Sequence, residues 1–205
     1  MIKAFFLIFE PVVAWDRIAQ SRRSVGFIVA IQLLPLIVLG SAVEGWGLAQ
    51  WGKWQPDFKR LRDFPRAEVI TFEIIQSLLL IIVVLLCALL LLKICQTFHG
   101  RNQYREAFAV IAYSFSPLLL LRVMDAAPMM SPWAGWIFGI LLAIWTLYQG
   151  LPRVLQPDPT HAFGLYLSTI IVIVLTSGME RELTSLYLQG NFDLHHFTFR
   201  PTFPH

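Results

Sequence analysis

The sequence predicts an all-α, polytopic integral membrane bundle of five transmembrane helices, preceded by an N-terminal interfacial amphipathic helix. Three observations carry this. Of the 205 residues, 57% are hydrophobic, above the ~45–50% of ordinary soluble domains. Charged residues fall to 14%, against a usual ~25%. The charges also leave long intervals empty. High hydrophobicity excludes a disordered chain. Sixteen Lys and Arg against thirteen Asp and Glu are too balanced and dispersed for a nucleic-acid footprint.

The first interval, Ser24 to Val43, has twenty uncharged residues between Arg23 and Glu44. Ile74 to Leu92 has nineteen, Ala107 to Leu121 fifteen, Ala126 to Pro152 twenty-seven and Ala162 to Met179 eighteen. A helix rising ~1.5 Å per residue needs roughly twenty residues to cross ~30 Å of hydrocarbon. Lipid offers the backbone no hydrogen-bond partners, so each run must be helical. The second is dense in Ile, Val and Leu, but strands usually run only about five or six residues. Spans are expected near 24–43, 71–94, 105–121, 133–151 and 162–182, within a membrane domain over 21–190. The third interval covers only about 22 Å. Arg122 is therefore expected to snorkel, or the bilayer to thin.

Before the first span, Ile2, Phe5, Phe6, Phe9 and Val13 recur at helical spacing among charged residues. No small-residue cleavage site follows, so residues 1–20 are expected as an interfacial amphipathic helix. At the other end, Leu183, Leu186 and Tyr187 share a helix face, and Gly190 is a plausible stop. Residues 191–205 are expected as an extended tail. Five spans place the termini on opposite sides. Basic residues divide eight and eight between the two faces, so the bulk count settles nothing. Arg22 and Arg23 abut the first span, which favours a cytoplasmic N-terminus. Trp46, Trp51, Trp54, Trp133 and Trp136 then fall on one side, and with Trp15 they form the expected interfacial set.

Several stretches resemble the Yip domain family of five-span membrane proteins, known from Golgi and endoplasmic-reticulum traffic and also found in bacteria. Phe9-Glu10-Pro11 with Trp15 and Ile18 resembles its amphipathic lead-in. Gly100 through Ala107, then Ala112-Tyr113-Ser114-Phe115-Ser116-Pro117, resembles its polar loop and third helix. Gly150-Leu151-Pro152-Arg153 resembles its exit from the fourth helix. The likeness covers roughly residues 5–185. Eukaryotic members carry a long soluble N-terminal region, whereas about twenty residues precede the spans here. The resemblance therefore does not carry GTPase binding to this chain, and implies a short, bacterial-type member of the inner membrane.

No nucleophile elbow, His-Glu-x-x-His or phosphate-binding glycine loop is present. Cys87 and Cys95 lie about 12 Å apart along one helix, as expected of buried apolar thiols. His99, His161, His195 and His196 lack companions at ligand spacing, so neither metal nor cofactor is expected. The intramembrane polar groups are few: Gln32, Gln76, Ser114, Ser116, Thr146, Gln149 and Thr169. Glu73 is expected to reach the headgroups from a span end. Gly135, Gly139 and Ala143 form a small-residue stripe that admits a close helix, from the same bundle before a homodimer. Pro117 should kink the third span, with Ser114 or Ser116 compensating locally.

The expectation is a non-enzymatic membrane protein that organises the bilayer or assembles with partner proteins. A small transporter or channel for a lipid or apolar solute competes with it; a polar path between spans would favour that reading. A membrane enzyme ranks third and needs residues such as Glu106, Asp125, His99 and His161 to converge. The topology is directly testable. Reporter fusions after residues 128 and 158 are expected to report the non-cytoplasmic and cytoplasmic sides respectively; the opposite pattern reverses the orientation.

Overall fold

The computed structural model describes residues 11–21, 23–55, 59–98 and 103–189. Helix α1 (Pro11–Ser21) begins on a proline, whose fixed φ suits a first helical turn. Trp15 and Ile18 share one face and both are buried. The Trp15 indole lies over Gly150, where an added Cβ would come within 2.3 Å of it. Its ring also meets Tyr113 edge-on at 6.2 Å. Trp15, grouped above with the interfacial indoles, is thus fully enclosed by protein. Gly150 is glycine because an indole occupies the place of its side chain. Residues 1–10 of the expected amphipathic helix lie outside the described residues.

Five longer helices follow, each long and apolar enough to cross a membrane: α2 (Val25–Trp51), α3 (Arg66–Thr97), α4 (Tyr104–Ala126), α5 (Pro132–Leu155) and α6 (Ala162–Gln189). The Ser24 hydroxyl caps α2 by accepting from the Phe27 amide at 3.3 Å. A π turn over Val29–Leu33 precedes Pro35. The proline ring cannot donate and crowds the preceding turn, and the wider turn accommodates it. After α2 the chain forms a hairpin, β1 (Lys53–Gln55) antiparallel to β2 (Arg60–Arg62). Gly52 enters it at φ +65°, where a Cβ would lie 2.3 Å from the Arg62 carbonyl oxygen.

Helix α4 is the central one. Of its apolar window 78% is buried, against 22–44% in the other four. Its helix is interrupted at Phe115, just ahead of Pro117. At this break the Ser116 hydroxyl reaches the Ala112 carbonyl at 3.4 Å and accepts from Gln32 at 2.9 Å, which is not the Tyr113 carbonyl that Pro117 leaves without a donor. Phe108, Ile111 and Phe115 of α4 are fully buried, as are Val84, Cys87 and Leu91 of α3. The small-residue stripe is used inside the bundle: a Cβ on Gly139 would approach the Leu118 backbone to 2.9 Å, and one on Gly135 the Leu121 carbonyl to 3.1 Å. Ala143 in the same stripe is fully buried.

Outward-facing positions are apolar. Ile70, Ile74, Leu78, Ile82 and Leu86 line one face of α3, and Leu167, Ile171, Leu175 and Met179 one face of α6, all exposed. Such an exposed belt would be an aggregation liability in water and is what a bilayer covers. The helices outrun the uncharged intervals, with α2 reaching Trp51, α3 starting at Arg66 and α4 reaching Ala126. Charge did not mark their ends because several charged residues turn inward.

Gly139→Leu is expected to destabilise the bundle by about 1–3 kcal/mol through overpacking. Gly26→Ala, with nothing within 4 Å of the new methyl, should leave it nearly unchanged. Unfolding titrations in mixed detergent micelles measure both.

Candidate functional site

Four helices each carry a charged residue near the same end of the bundle. Glu44 lies seven residues before the end of α2, and Glu73 seven residues into α3. Arg122 and Asp125 lie in the last turns of α4, and Glu180 and Arg181 in the last third of α6. All six are buried. On three of these helices a polar neighbour shares the face at three- or four-residue spacing: Ser41 with Glu44, Gln76 with Glu73, Thr184 with Glu180.

Arg122 is the hub. Its Nε donates to Glu44 Oε2 at 2.6 Å, and its Nη2 to Glu73 Oε2 at 2.6 Å and Gln76 Oε1 at 2.7 Å. Its Nη1 donates to the Ser41 hydroxyl at 3.1 Å. One planar guanidinium thereby joins α2, α3 and α4, a task its fork of donors suits and a lysine's single ammonium does not. This corrects two expectations. Arg122 does not snorkel; only 5% of its side chain is exposed. Glu73 does not reach out to headgroups, because its carboxylate turns inward to that guanidinium.

A second pair extends the cluster. Arg181 Nη2 donates to Asp125 Oδ1 at 2.5 Å, and its Nε to the Pro132 carbonyl at 2.6 Å. This ties α6 to the end of α4 and the start of α5. The β hairpin closes over the same end. Lys53 Nζ donates to the carbonyls of Asp125 at 2.7 Å and Ala127 at 3.0 Å. Gln55 donates to the Leu188 carbonyl and Arg62 to that of Tyr187. Those of Asp125, Tyr187 and Leu188 are carbonyls of the last helical turns, and cations there also oppose the helix dipole. Burial lowers the Lys53 ammonium below its usual range, while the Asp125 and Glu44 carboxylates pull it back up. Beside the hairpin, Glu68 accepts from Tyr187 at 2.7 Å and Arg62 at 3.0 Å, and Phe72 stacks on the Tyr187 ring at 4.7 Å.

Not every acceptor is satisfied. Glu44 Oε1, Glu73 Oε1 and Asp125 Oδ2 are buried without a hydrogen-bond partner among the described residues. Trp46, Trp51 and Trp54 are exposed at this end. The Trp54 amide bonds the Pro128 carbonyl at 3.0 Å, which brings the hairpin beside the Trp133 and Trp136 end of α5. Trp136 itself is half-buried and donates to Ser177 at 3.3 Å. The residues considered for an enzyme fall at different ends of the bundle where they are described. Asp125 belongs to the cluster, while Glu106 sits at the other end of α4. His161 lies exposed beside Asp158 and Thr160. His99, His195 and His196 lie outside the described residues. Cys87 and Cys95 are free and buried.

Reading charges as interval boundaries hid this cluster, since its members lie as far apart as Glu44 and Arg181. A signal was present: acids and bases recur on four helices at similar depths from the same end, on three of them beside a polar residue on the same face.

A largely buried helix packed against three others, an apolar outer belt and charge gathered at one indole-bearing end define a multi-pass integral membrane protein. Residues 5–179 match the Yip1 domain, and the chain belongs to that family. There is no match among curated proteins or among solved structures.

Removing the hub should be costly, because two buried carboxylates would lose their counter-ion. Arg122→Met is expected to destabilise by about 3–5 kcal/mol. Adding Glu44→Gln and Glu73→Gln to it should restore much of that loss. Detergent unfolding of the single and triple variants measures this; equal stability of Arg122→Met and the parent would show that the pairing contributes nothing.

Proposed function

We propose that this protein is a non-enzymatic membrane organiser that assembles with another integral membrane protein, in a bacterial cytoplasmic membrane with its N-terminus on the cytoplasmic side. The observation that carries the reading is the closure of the bundle. Beyond the Arg122 cluster, the α3–α4 interface is filled by Leu80, Val84, Cys87, Leu91, Phe108 and Ile111, all buried. The small cavities beside Arg122 and beside Tyr113 hold about 20 Å³ each, room for roughly one water. A transporter or channel needs a polar path, and these apolar layers supply none. The charged groups bond chiefly to one another and to helix ends, an arrangement suited to holding a shape. Partner contacts would then fall on the exposed apolar faces of α3, α5 and α6.

Photocrosslinkers at Ile82, Leu141 and Ile171 in native membranes test this. A discrete protein adduct, strong at one or two of the three positions, is expected. Proteoliposomes should meanwhile show no more transbilayer lipid movement than protein-free vesicles. Adducts to lipid alone, together with accelerated lipid movement, would overturn the organiser reading in favour of transport.

A further inference from the structure

A hollow of about 720 Å³ lies between α2 and α3, on the side facing outward from the bundle, within the ~300–1,000 Å³ of ligand sites. Small residues make it. Ser41, Ala42, Gly45 and Ala49 line the α2 wall at three- and four-residue spacing, so that side of the helix recedes. Gly45 is the floor, where an added Cβ would come within 3.2 Å of Glu73 and 3.3 Å of Val69. The small residues stop part-way down. Deeper along α2 the outward positions are Val38, Leu34, Ile31 and Phe27, all large and exposed, and α3 presents Leu78 and Ile82 there.

The furrow therefore occupies one leaflet. From Arg66 at its mouth to Leu78 at its deep end α3 rises about 18 Å, against about 15 Å for half of the hydrocarbon layer. A helix crossing the membrane packs along both leaflets, whereas one lipid stands in one. Below the mouth the polar groups are already engaged. The Ser41 and Ser77 hydroxyls meet at 2.9 Å, and the Glu73 carboxylate turns inward to Arg122 at 2.6 Å. The mouth is different. The antiparallel course of the two helices places Gln50 and Arg66 at that end, both exposed. Trp46 lines the same end and meets Trp51 edge-on at 4.8 Å. Indoles favour headgroup depth, and a guanidinium matches the geometry of a phosphate.

An apolar furrow of one-leaflet length with a cation at headgroup depth sets the chemistry of its occupant. A plain hydrocarbon leaves Arg66 unused, and a zwitterionic headgroup brings its own cation to the mouth. We propose that the α2–α3 furrow binds one anionic diacyl phospholipid of the leaflet at that end, with its phosphate on Arg66 and Gln50 and one acyl chain running over Gly45 toward Val38 and Leu78. The inference stands apart from partner assembly; a chain without a protein partner would still have this site.

Native mass spectrometry of the purified full-length protein tests it, with dioleoyl phosphatidylglycerol as the probe and dioleoyl phosphatidylcholine as the zwitterionic comparison. One saturable equivalent of the anionic lipid is expected. Arg66→Gln should weaken its retention about fivefold, the effect of one cation at an anionic lipid surface, and leave retention of the zwitterionic lipid unchanged. Ala42→Trp and Ala49→Trp fill the furrow from exposed positions. Each should remove the saturable equivalent, while Ile171→Trp on the α6 face should not. Unchanged circular dichroism shows that the filled variants keep the fold. Equal retention of the two lipids, indifference to Arg66→Gln, non-saturating uptake, or an equivalent that survives both filled variants would overturn the assignment. So would a lipid-free dimer that Ala42→Trp dissociates, which gives the furrow to a second copy of the chain.

Discussion

The arrangement depends on one guanidinium. Arg122 holds α2 and α3 to α4 through two carboxylates at 2.6 Å each, inside a bundle whose interior is otherwise largely apolar. In lipid, apolar contact alone gives helices little reason to choose one neighbour over another, because the tails are as apolar as leucine. A buried ion pair adds little net stability over a well-packed apolar core. It does penalise every other pairing of these helices, which would strand a charge. Register follows as well. Glu44 and Glu73 can both reach Arg122 only when the α2–α3 hairpin is aligned at that depth, and the Lys53 bonds to the end of α4 then seat the strand turn above it.

The rest of the bundle is arranged around that end. Gly135 and Gly139 let α5 lie against the second half of α4, and Gly150 lets the Trp15 indole lie against α5. Both are close approaches rather than polar contacts. Specificity thus comes from charge at one end and from shape along the remainder. The same division explains the functional reading. With the charged groups engaged with one another and the middle filled by Val84, Leu91 and Phe108, contacts with other molecules are left to the outer faces.

Much of the architecture was legible in the chain. Uncharged runs near the length of a bilayer span identified five helices, and Pro117 marked the break in α4. Gly139 and Ala143 announced a close packing that the bundle satisfies internally. The errors share one cause. Glu73 and Arg122 are placed by sequence where their charge would find water and Glu44 only as the bound of an uncharged run, whereas each has a partner on another helix. Trp15 was likewise grouped with indoles that face outward, since spacing alone does not say whether an aromatic meets lipid or a glycine on another helix.

What the sequence by itself determined is the number of spans, their helical state and the family, because hydrocarbon length and backbone hydrogen bonding are local demands that each segment answers alone. Only the tertiary structure decided that six charged residues from four helices form one buried cluster. Coulombic pairing acts between groups brought within a few ångströms, and nothing in the linear spacing of Glu44, Glu73, Arg122 and Arg181 states that distance.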